Sequence, residues 1–299
     1  MVKGVLLASA ILLIAPATAR AQVDLSGFWS NPNFEDVMER IDGPALGDYL
    51  GLPISAAGRR AAETWDASIL SIKEHQCQDY PADYQSNSTW PFDMWKETDP
   101  VTHDVIAWRT RLQYMTPERT IWMDGRAHPD EDAPHTWEGF STGRWEGGSL
   151  IVTTTHLKTS WLRRNGVPRS DKATVVERFT RHGNYLSVVT TVYDPVYLTE
   201  PYVRSRDMIL NQLASVGIFV CEPAEESTLK PGVIPHVLPG ENKFLKEFTV
   251  TDGVPEEPTH GGAETLYPEY RRRLATLPIP TASTPAAPPA ATRPQSPPR

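Results

Sequence analysis

The sequence predicts an all-β fold, an antiparallel barrel rather than a sandwich, with one short helix near its N-terminus. Three observations carry this reading. Between Asp104 and Leu210 apolar and polar residues alternate with a period of two, segment after segment. The segments are separated by turn signals: Thr116-Pro117, Gly147-Gly148 and His182-Gly183-Asn184. Several strands are apolar on one side and mixed on the other, and closing such a set into a barrel removes its exposed edges.

The elements follow in order. Asp24 to Ser30, DLSGFWS, reads as a first strand, and its Gly27-x-Trp29 pattern is similar to the start of lipocalin barrels. Ser55 is a good helix N-cap, and the Ala-rich stretch after it, with Trp65 and Ile69 four apart, continues the helix. Residues 74–99, rich in Pro, Asp and aromatics, are expected to be irregular. Strands are then expected over DVIAWRTRLQYM, ERTIWM, GRWE, SLIVTTTH, ATVVERFTR, YLSVVTTVYD and YVRSRDMIL. In the 149–156 strand Leu150, Val152, Thr154 and His156 share one face, while Glu177 and Arg178 point to opposite faces of theirs.

The two ends read differently from the middle. Lys3, the apolar run Val5 to Ile14 and the Ala19-Arg20-Ala21 site have the parts of a secretory signal over residues 1–21. The run is too short to span a bilayer, which takes about 20 apolar residues. Residues 276–299 are Pro, Ala, Thr and Ser with little to bury, so a disordered tail is expected. That leaves 22–275 as a single β domain, periplasmic or secreted. The chain has 29 basic and 37 acidic residues, and losing Lys3 and Arg20 with the signal leaves 27 basic, a formal charge of −10. Such a balance disfavours nucleic acid and anionic membrane surfaces as partners. Two cysteines, Cys77 and Cys221, in an oxidising compartment are expected to pair.

Candidate chemistry concentrates in Asp124-Gly125-Arg126-Ala127-His128-Pro129. Arg126 and His128 lie two apart after a strand end, so in extended chain they point the same way. Arg126 suits a carboxylate and His128 can move a proton, although Asp124 and Arg126 pairing across a turn would explain the block equally. His156, in line with Val152 and Thr154, is a second proton-transfer candidate, or a core histidine. An inward Glu177 needs a partner, which Arg109, Arg111 or Arg144 can supply. His128, Asp130, Glu131, Asp132 and His135 form a dense cluster, but no recognised ligand spacing makes it a metal site. Eight of the nine tryptophans lie between Trp65 and Trp161, which suits either core packing or an aromatic ligand. Trp122, Trp145 and Tyr114, with Arg144, are the substrate-binding candidates. There is no G-x-S-x-G, dinucleotide, Walker or haem motif, so no cofactor is expected.

DLSGFW at 24–29, RTIWMDGRAHP at 119–129, GRWEGGSLIVTTT at 143–155, ERF at 177–179 and the Asp194-Pro195 pair together resemble a family of secreted bacterial hypothetical proteins. Its members carry a DLSGxW start and a GRWEGDTLVVDT core. The likeness spans about 24–202 and implies export and a β-rich fold. Gly148 and Thr153 stand where that family has Asp. The same GRWEG stretch is similar to sphingomonad lyases that decarboxylate phenylcoumaran acids without a cofactor. These likenesses imply a cofactor-independent lyase or isomerase acting on a small aromatic acid, and the sphingomonad likeness implies a lignin-derived one. In that reading Arg126 holds the carboxylate, and His128, His156 and Glu177 supply the chemistry. A carrier of a hydrophobic or aromatic ligand is the alternative.

Overall fold

The computed structural model describes residues 23–32, 44–85, 88, 90–113, 115, 118–214, 217 and 221–278. The expected signal at 1–21, nearly all of the 276–299 tail and Tyr114 lie outside these residues.

Nine strands close into a barrel in the order β1-β11-β10-β9-β6-β5-β4-β3-β2. They are β1 Gly27–Ser30, β2 Phe92–Thr98, β3 Val105–Leu112, β4 Arg119–Trp122, β5 Phe140–Glu146, β6 Ser149–Thr155, β9 Thr174–His182, β10 Tyr185–Tyr193 and β11 Tyr202–Leu210. A separate ribbon pairs β7 Ser160–Trp161 with β8 Pro168–Arg169. The hairpin turns at Gly147-Gly148 and Gly183-Asn184 fall where the sequence places them, while Thr116-Pro117 lies outside the described residues. Glu146 pairs with Ser149 around Gly147-Gly148, whose φ angles of 60° and 103° only glycine adopts without strain.

One junction is not antiparallel. β4 and β5 run parallel, Ile121 beside Ser141 and Trp122 beside Thr142. A parallel pair needs a long crossover, and residues 123–139, which include the DGRAHP block, supply it. The most distinctive stretch of the chain is therefore the barrel's crossover connection.

Alternation sorts the interior into two parts. One end is an apolar core built from Trp29, Phe92, Trp108, Ile121, Leu150, Phe179 and Met208, all at most 1% exposed. Burying a side chain of this kind contributes about 1.5–3 kcal/mol. Towards the other end Val175 and Val192 pack against a cap that includes Tyr49, Ile54, Ala62 and Leu162. The cap holds α1, Ala56–Glu63, and α2, Ala82–Gln85. Ser55 caps α1 as expected, its Oγ accepting from Gly58 N at 3.1 Å.

The helix is shorter than its Ala-rich composition suggests. Trp65 leaves it to bridge His236, and Asp66 caps a separate 3₁₀ turn at Ala67–Ser71. Three more short helices, α3 Glu247–Asp252, α4 Glu256–Thr259 and α5 Pro268–Leu274, stand where the sequence reading had found none. No helix among the described residues is long and apolar enough to cross a membrane.

Cys77 and Cys221 are disulfide-bonded, with Cα atoms 5.5 Å apart and a sequence separation of 144. Constraining the unfolded chain over so long a loop is worth about 5 kcal/mol on the chain-entropy model, and measured losses run about 2–5 kcal/mol. The double replacement of Cys77 and Cys221 by Ser is expected to lower the free energy of unfolding in urea by that amount. An unchanged midpoint would show that the bond constrains nothing.

Candidate functional site

The inward positions of six adjacent strands form a polar belt between the apolar core and the cap. Register places Thr110 beside Arg119, Ser141 beside Thr154 and Glu177 beside Thr190. Arg119 Nη2 donates to Glu177 Oε2 at 2.5 Å and to Thr154 Oγ1 at 2.7 Å, and its Nε donates to Ser141 Oγ at 3.1 Å. Both members of the ion pair are buried. Inside the barrel such charge-assisted bonds are strong, and the two hydroxyls take a second Nη2 donor and the Nε donor.

The partner of Glu177 thus differs from the three arginines expected. Arg109 and Arg111 alternate with inward Trp108 and Thr110 and so project outward, where they meet Glu97, and Asp93 with Glu118. Arg144 is exposed and pairs with Glu146. Arg178, on the face opposite Glu177, also reaches Glu146.

Above the belt lies Glu138, the last carboxylate of the crossover. α2 laces it to the barrel: Gln85 Nε2 donates to Glu138 Oε2 at 2.8 Å, and Thr110 Oγ1 donates to Gln85 Oε1 at 2.8 Å. Two arginines hold the other end of α2. Arg204 Nη2 donates to the Asp83 carbonyl at 2.8 Å, and the buried Arg169 pairs with the Asp83 carboxylate at 3.3 Å.

Burial pushes the Glu138 carboxyl up to about 8, with Asp79 and Asp83 adding to the rise and Arg119 opposing it. Its Oε1 is shielded from solvent and bonded to nothing among the described residues. At neutral pH Glu138 therefore carries a proton it can give, within electrostatic reach of Arg119 in the buried ion pair. Sequence reasoning missed Glu138 because it lies in irregular chain. The available signal was a carboxylate set between Trp137 and Phe140, immediately ahead of a strand.

The DGRAHP block is organised differently. Asp124 accepts from the Arg126 guanidinium at 2.5–2.9 Å, and the same guanidinium stacks over Trp122 with its carbon 3.6 Å from the ring centroid. This ion pair holds the Asp124 carboxyl down at about 2. Arg126 is thus occupied in the turn that the sequence reading held as the alternative.

His128 sits between two outward threonines, Nδ1 2.7 Å from Thr155 Oγ1 and Nε2 2.9 Å from Thr142 Oγ1. Burial, and to a lesser degree His156, lowers its basicity. His156 has φ +56°, which ends the alternation of β6 and turns it off the inward face shared by Val152 and Thr154. It bonds Thr155 Oγ1 and the Asp130 carbonyl instead, with His135 5.3 Å away ring to ring. These histidines fasten the crossover to the outer face of β5 and β6. They do not gather with Glu177. Trp122 is outward beneath Arg126, whereas Trp145 packs against the interior core.

Among the described residues no group of three His, Cys, Asp or Glu side chains converges as a metal site. No protein-family model, curated protein or solved structure matches the chain. What fold and site together define is a class: a closed, capped β-barrel with a buried ion pair and a neutral carboxyl at its capped end.

Proposed function

We propose that the chain is an exported, cofactor-independent lyase or isomerase that acts on a small aromatic acid by proton transfer at Glu138. The observation that carries this is a largely buried carboxyl held near pKa 8 with one oxygen unengaged. A general acid works best when its pKa lies near the working pH, and burial is a recognised way to raise a glutamate there. In the decarboxylating form, the substrate's C–C bond to its carboxylate breaks and CO₂ leaves. The electron pair stays on carbon, where the conjugated ring stabilises it, and the Glu138 proton closes the valence. Water then returns a proton to Glu138. The buried Arg119–Glu177 pair supplies fixed charges that support this exchange.

The disulfide supports the exported setting, since such bonds persist in oxidising compartments. The motif likeness to sphingomonad lyases points to the substrate class. The test is a mass-spectrometric screen of the mature chain against a panel of aromatic acids, with no added cofactor. Loss of 44 mass units from one substrate, or its isomerisation, is the result expected of an enzyme (about the mass of CO₂, by the balance above). Binding without any product across the panel would sink the enzyme reading in favour of a carrier.

A further inference from the structure

Beside the capped end, next to the disulfide, two joined hollows of about 330 and 90 Å³ share Tyr80, Pro81, Trp161 and Arg164. An apolar cavity of about 150 Å³ is enough to take benzene, so the larger hollow has room for a substituted ring. Flat aromatic faces wall the two hollows, Trp65 and Tyr84 on the smaller, His75 and Trp137 on the larger, and Tyr80 and Trp161 on both. Tyr80 and Tyr84 stack at 4.5 Å, and Trp161 meets Trp65 edge-on at 6.1 Å and His75 at 6.2 Å. Trp137, whose carbonyl accepts from Ala82 N at the start of α2, lines the larger hollow and is followed in the chain by Glu138.

We infer that this cleft is the ring-binding part of the site, and that it takes a neutral phenol or phenol ether in preference to an anionic ring. The inference rests on the proton-transfer reading for its chemistry, but the preference comes from the cleft itself.

Two observations set that preference. Trp65 Nε1 and His75 Nδ1 are shielded from solvent and hydrogen-bonded to nothing among the described residues. The indole N–H of Trp65, a residue of the smaller hollow, lacks a partner, and a phenol or ether oxygen has the acceptor chemistry it needs. The charges at the larger hollow are mostly negative: Asp79, Glu222 and Glu226 line it, with Arg164, while Arg163 at the smaller hollow is paired with Asp48 at 3.2 Å. A carboxylate placed among them is repelled. The acid group of the substrate is therefore kept out of this cleft while the ring goes in.

The arrangement is fixed from behind. Gly166, at φ +87°, lies so close to Trp65 that an added Cβ would come within 2.5 Å of its side chain. Trp65 is thus clamped by a backbone that only glycine can supply.

The test is tryptophan-fluorescence titration of the full chain with 2-methoxyphenol and, separately, with benzoate at pH 7. Quenching by 2-methoxyphenol is expected, with affinity at least about tenfold above that for benzoate, and Trp161→Ala should weaken it about tenfold. The exposed double variant Glu222→Lys, Glu226→Lys should bring benzoate to within about threefold of 2-methoxyphenol without weakening the phenol. Equal affinities in the wild-type chain, or a charge variant that changes neither ligand, would overturn the inference. Glu138→Gln should leave 2-methoxyphenol binding unchanged. If turnover depends on Glu138 while Trp161→Ala and the charge variant bind both ligands like wild type, the cleft assignment falls alone. If the ring binds here and Glu138→Gln costs no turnover, the enzyme reading falls and the cleft stands.

Discussion

Replacing Glu138 by Gln is expected to lower turnover by about 10²–10⁴-fold, the usual cost of losing a general acid. Gln has nearly the same shape, and its carbonyl oxygen can still accept from Gln85 Nε2, so the link from α2 to the crossover survives. What disappears is the dissociable proton. In the wild-type chain kcat/KM is expected to fall as pH rises through about 8, because burial holds the donor form only below that value. The residual activity of Glu138→Gln should lack this limb. Full turnover in Glu138→Gln, measured on any substrate the wild type converts, would remove Glu138 from the chemistry.

Replacing Arg119 by Met is expected to destabilise the fold by about 3–5 kcal/mol, read from urea denaturation. The guanidinium is buried and spans Glu177, Thr154 and Ser141, so the variant takes the counter-charge from a buried carboxylate. Adding Glu177→Leu should recover much of the loss, since an apolar pair of similar volume is often neutral to stability. A loss under about 1 kcal/mol for Arg119→Met alone would mean that water reaches the belt and the interior is not sealed as described.

How much of this was legible in the sequence differs from residue to residue. Strong two-residue periods gave the strands of the hairpins, the Gly147-Gly148 turn, and opposite faces for Glu177 and Arg178, of which the structure turns Glu177 inward. The partner Arg119 was hidden because β4 is only four residues long and comes soon after the Thr116-Pro117 turn signal, too short for alternation to assign a face. His156 shows the converse limit. It continues the pattern of Val152 and Thr154 on paper, but one left-handed φ sends it outward. The crossover carries no period at all, so neither its parallel return nor the burial of Glu138 could be read from it. That burial comes from α2, more than fifty residues earlier in the chain.

The aromatic signal was similarly half-legible. The crowding of tryptophans between Trp65 and Trp161 was visible in composition. Which of them face a cleft was not, because Trp65, Trp137 and Trp161 come from an irregular bridge, a loop and a two-residue strand, none of which has a period long enough to assign a face.

The claim on which this account turns is that Glu138 holds a proton at neutral pH. The direct measurement is a ¹³C titration of glutamate side-chain carboxyls, with the Glu138 signal assigned by its absence in Glu138→Gln. A midpoint near 8 is the result expected from its burial, with Arg119 only partly offsetting it. Folded stability should also fall between the ordinary glutamate value and that midpoint, because the native state there holds a proton the unfolded chain has lost. A midpoint at the ordinary value of 4.5 would mean a solvated carboxylate, with no acid at the capped end of the barrel.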